Sequence, residues 1–297
     1  MAGQRDKFSF LFLARLSILT MGLAVAFGWS APAANRNVLD GQLGNARFAN
    51  DKELAAAKRG IEIGLSPRKR KPVRLSLEGN AISFAPPRTG KTTGLIVPNL
   101  VGSQSGSWHG PAVVIDPKGE IYRMTHARRR ELGRKVICLD PYGLAGGEDC
   151  WNPFDGIKPG QASALSRMIG AMLVETGENN QYFRQRATAA IRGAIVALSI
   201  KKGKTTPEDV RDLFLDRADL VDAVADSQNS SVRALRDILE MDEKSSAPIL
   251  STAQTAFDWL QDTVMLDGSS SSTFTMEEVA RGHADLFIVA PTDDAEI

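Results

Sequence analysis

The segment Ala85-Pro86-Pro87-Arg88-Thr89-Gly90-Lys91-Thr92-Thr93 constrains this chain more than any other. An apolar stretch ends just before it at Ile82 and Phe84, and apolar periodicity resumes just after it at Leu95. Strand, loop and helix in that order form the setting in which a G-x-x-x-x-G-K-[ST] loop binds phosphate. Backbone N–H groups of such a loop cradle phosphate oxygens at a helix N-terminus. Residues 85–93 are therefore the expected nucleotide-binding set, with Lys91 reaching the β and γ phosphates of ATP and the Thr92 hydroxyl ligating Mg²⁺. Ala85 stands where the pattern has Gly, a steric cost if the loop needs a positive φ there.

The 297 residues suffice for one large or two ordinary domains. At 43% hydrophobic and 24% charged residues the chain is globular, and a net charge of +1 excludes a bulk basic field for nucleic acid. Basic runs are nevertheless present at residues 66–74 and at Arg128-Arg129-Arg130. Each reads either as a solvated face or as a surface for phosphate or anionic lipid. The two cysteines, Cys138 and Cys150, have no metal-ligand spacing, and Cys138 lies in an apolar run that reads as core. His109, His126 and His283 are scattered, so no metal cluster is expected.

From Phe8 to Trp29 the chain is apolar apart from Ser9, Arg15, Ser17 and Thr20, a length that suits a membrane span. A cleaved signal peptide and a permanent anchor both fit. The cationic flank on the C-terminal side (Arg36, Arg47, Lys52, Lys58, Arg59) favours an anchor with the bulk of the chain in the cytoplasm.

Beyond a polar lead-in containing a helix over 51–59 stopped by Gly60, strands and helices alternate. Pro111–Asp116 reads as a buried strand ending in an acid, Tyr122–Leu132 as a helix and Lys135–Leu139 as a second strand. This is an α/β pattern with a parallel sheet whose ligand sits at the carboxyl ends of the strands. From Ala162 to about Asp262 apolar residues recur only at helical spacing, and Thr206-Pro207 reads as a helix start. Gly268–Ser272 reads as a loop, Thr275–Glu278 as a helix start and Asp285–Ala290 as a buried strand that returns to the sheet. The expected organisation is an anchor over 8–30, a lead-in over 31–75, a nucleotide-binding part over 76–160, an all-helical insertion over 161–262 and a return segment over 263–297.

These residues carry a resemblance. Gly44–Ala49 with Glu53-Leu54, Pro86–Thr93, Ile96–Leu100, Val114–Glu120 and Trp151-Asn152-Pro153 are similar to the type IV secretion coupling proteins, the TraG-like conjugative DNA-transfer ATPases. Taken alone, Trp151-Asn152-Pro153 reads as a packed turn. The resemblance implies a RecA-like P-loop NTPase sheet with an inserted all-helical domain and an N-terminal transmembrane helix in the bacterial inner membrane. It implies a homo-hexamer that brings a relaxase–DNA complex or a protein substrate to the type IV secretion channel. Members usually carry two membrane spans, and a second acidic motif on a later strand. This chain has one apolar run, and Asp293-Asp294 does not fit the second motif. The expectation is that the chain is the N-terminal part of such a protein, with weak turnover or none. Lys91, Asp116 and Glu120 are the catalytic candidates, and Thr92 and Asp116 the metal ligands. Asp116 or Glu120 would polarise water or orient the metal's waters; the alternatives are a capping carboxylate for Asp116 and a first-turn helix acid for Glu120. A nucleotide-binding scaffold without turnover is the competing reading.

Overall fold

The computed structural model describes residues 49–56, 58–67, 69–76, 79–102, 108, 110–158, 160–173 and 181–291. The apolar run 8–29, the lead-in matches at 44–48, His109 and Asp293-Asp294 lie outside them. Among the described residues no helix is long and apolar enough to cross a membrane. The chain divides into two units, 1–54 and 55–297. The described part of the first holds α1 (Asp51–Leu54), capped by Asn50, whose Oδ1 accepts the Lys52 and Glu53 N–H groups at 3.0 Å each. This helix is shorter than the expected 51–59, and Gly60 does not stop it. Gly60 instead has φ 125° in the second unit, where an added Cβ would lie 2.1 Å from the Leu75 carbonyl oxygen.

That close approach belongs to a hairpin read only as polar lead-in from the sequence. β1 (Ile61–Leu65) pairs antiparallel with β2 (Pro72–Leu75), with a register shift between Glu62 and Gly64. Glu62 is buried beneath it, 3.5 Å from the Arg74 guanidinium.

The main sheet is three-stranded and wholly parallel, in the order β3 (Val113–Ile115), β5 (Ala284–Ile288), β4 (Lys135–Leu139). β3 reaches β4 through α3 (Glu120–Glu131), the crossover a parallel pair requires. β4 reaches β5 only after a long helical excursion, yet β5 lies in the middle. One face packs Leu100, Ile121, Tyr122, Cys138, Phe287 and Val289; the other packs Ile137, Phe274, Ala284 and Leu286.

The middle strand carries a buried charge. Asp285 has no exposed surface and accepts from Arg129 Nε at 2.7 Å, Arg134 Nε at 3.1 Å and the Ala112 N–H at 3.0 Å. Within the Arg128–Arg130 run, Arg128 and Arg130 are exposed and only Arg129 turns inward. Arg129 is buried against Asp285, and Arg128 pairs with Glu131 at 2.9 Å. A carboxylate inside a sheet requires such partners, because an unpaired charge there carries a large desolvation penalty.

The expected strand before the phosphate loop does not form. Residues 79–86 have no regular structure, and Ile82 and Phe84 are 78% and 90% exposed. A strand needs a ladder partner, and no described strand pairs with this segment. Pro86 and Pro87, without N–H groups, also end any ladder at its far end.

From Ala162 to Ser269 the excursion consists of helices and the turns that join them, with no strand among its described residues, as the periodicity predicts over 162–262. It comprises α4 (Ala162–Met172), α5 (Gln181–Lys202), α6 (Pro207–Leu213), α7 (Arg217–Val224), α8 (Ser230–Leu239), α9 (Glu243–Thr255), a 3₁₀ turn (Asp258–Gln261) and α10 (Thr263–Ser269). α5 is its axis, burying Ala187, Ala190, Ile191, Ala194 and Ile195 among Leu165, Ile169, Leu235 and Ile249. Gly193 lets α8 cross closely, since a Cβ there would sit 2.6 Å from that of Leu235. Thr206 caps α6 in a full capping box with Asp209. Gly268 and Ser269 close α10 rather than form the expected loop, because Asp262 caps a helix that runs through them. α11 (Met276–Ala280), capped by Thr275, leads into β5.

Asp285→Ala is expected to destabilise the protein by about 3–5 kcal/mol, the usual effect of stranding a buried partner charge. Urea unfolding measures it. Glu277→Ala, which breaks the exposed Glu277–Arg281 pair, is expected to leave the midpoint nearly unchanged.

Candidate phosphate-binding site

The loop from Ala85 to Lys91 is drawn into a ring by its own side chains. Lys91 Nζ donates to the carbonyls of Ala85 at 2.7 Å and Pro86 at 3.0 Å. Thr89 Oγ1 donates to the Pro86 carbonyl at 2.7 Å. The lysine ammonium, with three protons to give, thus lies over the loop whose backbone it closes. Arg88 (φ 61°) and Gly90 (φ 84°) supply the left-handed turns. Ala85 does not have a positive φ, so the residue that departs from the glycine pattern incurs no backbone cost. The helix begins at Lys91, with Gly94 N–H bonding the Gly90 carbonyl at 2.7 Å and Thr93 Oγ1 the same carbonyl at 3.4 Å. First-turn N–H groups lack intrahelical acceptors, and such ends favour anions.

After the loop a π-helical turn, Thr92–Ile96, runs into α2 (Val97–Val101). The wide turn has a local cause. Pro98 has no N–H to give and its ring crowds the carbonyl four residues back; Val97 N–H bonds Thr92 instead. Three anchors hold this helix. Asn99 accepts from Glu62 N–H at 2.8 Å and donates to the Glu62 carbonyl at 2.7 Å, fastening it to β1. Arg128 Nε reaches the Val101 carbonyl at 3.1 Å, and Arg129 Nη1 the Leu100 carbonyl at 3.3 Å. Cations at a helix C-terminus are favourably placed against its dipole.

Asp116 ends β3 and is buried; its Oδ2 accepts the Tyr122 N–H at 2.9 Å, capping α3. Glu120 is exposed in the first turn of α3. Gly119 between them has φ 66°, and a Cβ there would lie 2.6 Å from that of Ala145. No hydrogen bond or ion pair among the described residues joins Asp116 or Glu120 to Lys91 or Thr92. Nor does any group of three or more His, Cys, Asp or Glu gather there as a metal centre.

The sequence did not single out the carboxylates that shape the neighbouring loops. Asp140 at the end of β4 accepts N–H bonds from Leu144, Ala145 and Gly147 at 2.9, 2.7 and 3.2 Å. Asp149 accepts from the Cys138 N–H at 2.9 Å and from Thr273 Oγ1 at 2.7 Å. Asp140-Pro141 after an apolar strand was the only local signal. Trp151-Asn152-Pro153 is a packed turn, as its residues suggest. Asn152, fully buried, donates to the Thr205 carbonyl at 2.8 Å and accepts from Phe154 N–H at 2.9 Å; its own N–H reaches Ser272 Oγ at 2.9 Å.

A phosphate-type loop opening a helix beside a parallel sheet places this chain among α/β proteins with a candidate nucleotide site. The sequence model of the family described as Type IV secretory system Conjugative DNA transfer matches residues 47–297. The chain belongs to that family. It is 27% identical over 242 residues to a conjugal transfer protein TraG of Escherichia coli, covering 73% of this chain and 37% of that protein. A second TraG of Escherichia coli is 25% identical over 308 residues, covering 86% and 46%. Protein VirD4 of Rhizobium radiobacter is 27% identical over 139 residues, covering 46% and 19%. The chain thus spans less than half the length of these relatives. Among solved structures, the plasmid coupling protein TrwB in complex with the non-hydrolysable GTP analogue GDPNP aligns with a TM-score of 0.40 at 10% identity, covering 84% of this chain and 58% of that one.

Cys138, at the core beneath these loops, is 1% exposed, and its thiol is pushed up to about 12, first by burial and then by the carboxylates of Asp140, Asp149 and Asp116. It is expected to resist iodoacetamide in the folded protein while the half-buried Cys150 reacts. Because the folded thiol ionises later than the unfolded one, stability is lost as pH rises from 9.0 towards 12. Urea midpoints across that window should fall less steeply in Cys138→Ala.

Proposed function

We propose that this chain is the nucleotide-binding part of a membrane-anchored coupling protein that delivers DNA or a protein substrate to a type IV secretion channel. Family membership supports the role in conjugative DNA transfer. The observation that carries nucleotide binding is the ring closed by Lys91, with its two carbonyl bonds and its helix start. In this reading residues 85–93 wrap the phosphates of ATP, Lys91 pairs with the β and γ phosphates, and the Thr92 hydroxyl with the phosphates themselves holds Mg²⁺. Asp116 or Glu120 would polarise water or orient the metal's waters. The sheet would be RecA-like, residues 161–262 an inserted helical domain, 8–30 the anchor in the bacterial inner membrane, and the bulk of the chain cytoplasmic. The working assembly would be a homo-hexamer at the secretion channel, receiving a relaxase–DNA complex or a protein cargo.

Lys91→Ala is expected to weaken Mg²⁺–ATP binding strongly, by tenfold or more, because it removes the fixed cation. The urea midpoint should be unchanged, since the side chain bonds only to its own loop. Titration calorimetry on the full chain checks both binding and stoichiometry; wild-type affinity in the variant contradicts the assignment.

A second reading, a nucleotide-holding scaffold without turnover, is favoured by one observation: Asp116 Oδ2 is committed to capping α3 through Tyr122 N–H. Phosphoryl transfer depends on positioned charge, and a carboxylate engaged in this way contributes less of it. The expected result is that the chain alone binds Mg²⁺–ATP and hydrolyses it far more slowly than about 1 s⁻¹. A rate of that order, measured with binding independently confirmed, shows that Asp116 and Glu120 suffice.

A further inference from the structure

Positive charge is concentrated in the segment that forms the hairpin. Residues 55–76 contain Lys58, Arg59, Arg68, Lys69, Arg70, Lys71 and Arg74 against a single acid, Glu62, in a chain whose net charge is only +1. Glu62 is buried, 3.5 Å from the Arg74 guanidinium. The turn is tightly made. Ser66 N–H bonds the Lys71 carbonyl at 2.8 Å, Arg70 N–H the Ser66 carbonyl at 3.0 Å, and Lys71 N–H Ser66 Oγ at 3.2 Å. Lys69, Arg70 and Lys71 are exposed at its end. Arg70 has φ 51°, a conformation in which glycine is cheaper. The turn thus keeps a cation where backbone geometry favours glycine. On the same hairpin Ile63, Leu65 and Leu75 remain 42–47% exposed.

Cationic tip and exposed aliphatic side chains together match the interface of an anionic bilayer, where each nearby Lys or Arg contributes electrostatic attraction and apolar groups enter the headgroup boundary. Nucleic acid shares the phosphates but offers nothing to the aliphatic side chains, and no aromatic residue stands on the hairpin to stack a base. The apolar run ending at Trp29 lies 32 residues before Ile61, within the reach of a linking chain.

We propose that the β1–β2 hairpin is a membrane-contact surface that docks its basic tip on anionic phospholipid headgroups. The inference rests on the anchored-protein reading above. Asn99, bonded twice to the Glu62 backbone, fastens β1 to the helix that follows the phosphate loop, so the docked hairpin would also fix how that loop faces the bilayer.

The test is amide exchange over residues 61–75 of the full chain reconstituted in nanodiscs of phosphatidylcholine alone or enriched in phosphatidylglycerol. Anionic discs are expected to slow exchange at the turn severalfold. High salt and the triple variant K69E/R70E/K71E should each abolish the difference, while exchange in α5 is unaltered. Equal exchange in the two discs overturns the proposal. A chain that leaves the discs on alkaline washing overturns the anchor reading instead. Flotation with vesicles of the same two compositions then tests the hairpin directly, with the triple variant expected to lose about a hundredfold in partitioning and equal partitioning overturning it. Slowing by a single-stranded oligonucleotide without any response to lipid assigns the tip to nucleic acid and likewise overturns the proposal.

Discussion

The buried carboxylate of Asp285 is the interaction on which the rest of this structure depends. It lies in the middle strand of the sheet and is met by a backbone N–H at the entrance to β3, a guanidinium from α3 and a guanidinium from the entrance to β4. Each partner is more than a hundred residues away in sequence. Hydrophobic burial alone is non-directional and would accept β5 in more than one register. A charge that must find three donors accepts only one, because a one-residue slip turns every side chain to the other face. Arg129 carries the constraint further. Its remaining N–H groups hold the Leu100 carbonyl at the end of α2 and the Gly110 carbonyl before β3, so the segment that presents the phosphate loop is tied to the same charge.

Asn152 plays the corresponding part on the helical side. Its side chain spans from the turn between α5 and α6 to its own loop, and its N–H reaches the serine stretch after α10. The chain leaves β4, makes its helical excursion and returns to β5 past this one residue. The charged hub fastens β5 to α3 and to the entrances of β3 and β4, the neutral one joins the departing and returning ends of the excursion, and the apolar residues of α5 fill its centre. Loops at the carboxyl ends of β3 and β4 also interlock. Arg123 donates to the Leu144 and Lys118 carbonyls, and Gly119 admits Ala145 where any side chain would clash.

Elements fixed by local chemistry were legible in the sequence. Lys135–Leu139 is a strand with the expected bounds, Thr206-Pro207 a capped helix start, and Gly-Lys-Thr a helix opening preceded by a turn with positive φ. Elements fixed by distant partners were not. The β1–β2 hairpin is interrupted by Gly64 and built around Glu62, so its alternation is too short to register, and its stabilising partner Asn99 is thirty-seven residues on. Arg129 read as one of three surface cations because nothing in its own helix announces Asp285. Ile82 and Phe84 read as strand because β character is apparent in a short apolar run, whereas a ladder partner is not. At the candidate site the same division holds. Lys91 and Thr92 open a helix as expected but without the expected strand before the loop, while the capping bond of Asp116 to Tyr122 N–H becomes visible only in three dimensions.

The loop of residues 85–91, closed by Lys91 and mounted on α2, is proposed to receive phosphate. Hydrogen exchange of the full chain with and without Mg²⁺–ATP tests it most directly. Nucleotide is predicted to slow the amides of residues 88–94 and, through the two Asn99 bonds, those around Glu62, while leaving α5 and α8 unchanged. Exchange in the loop that is indifferent to nucleotide, or slowing confined to the helical excursion, would contradict it.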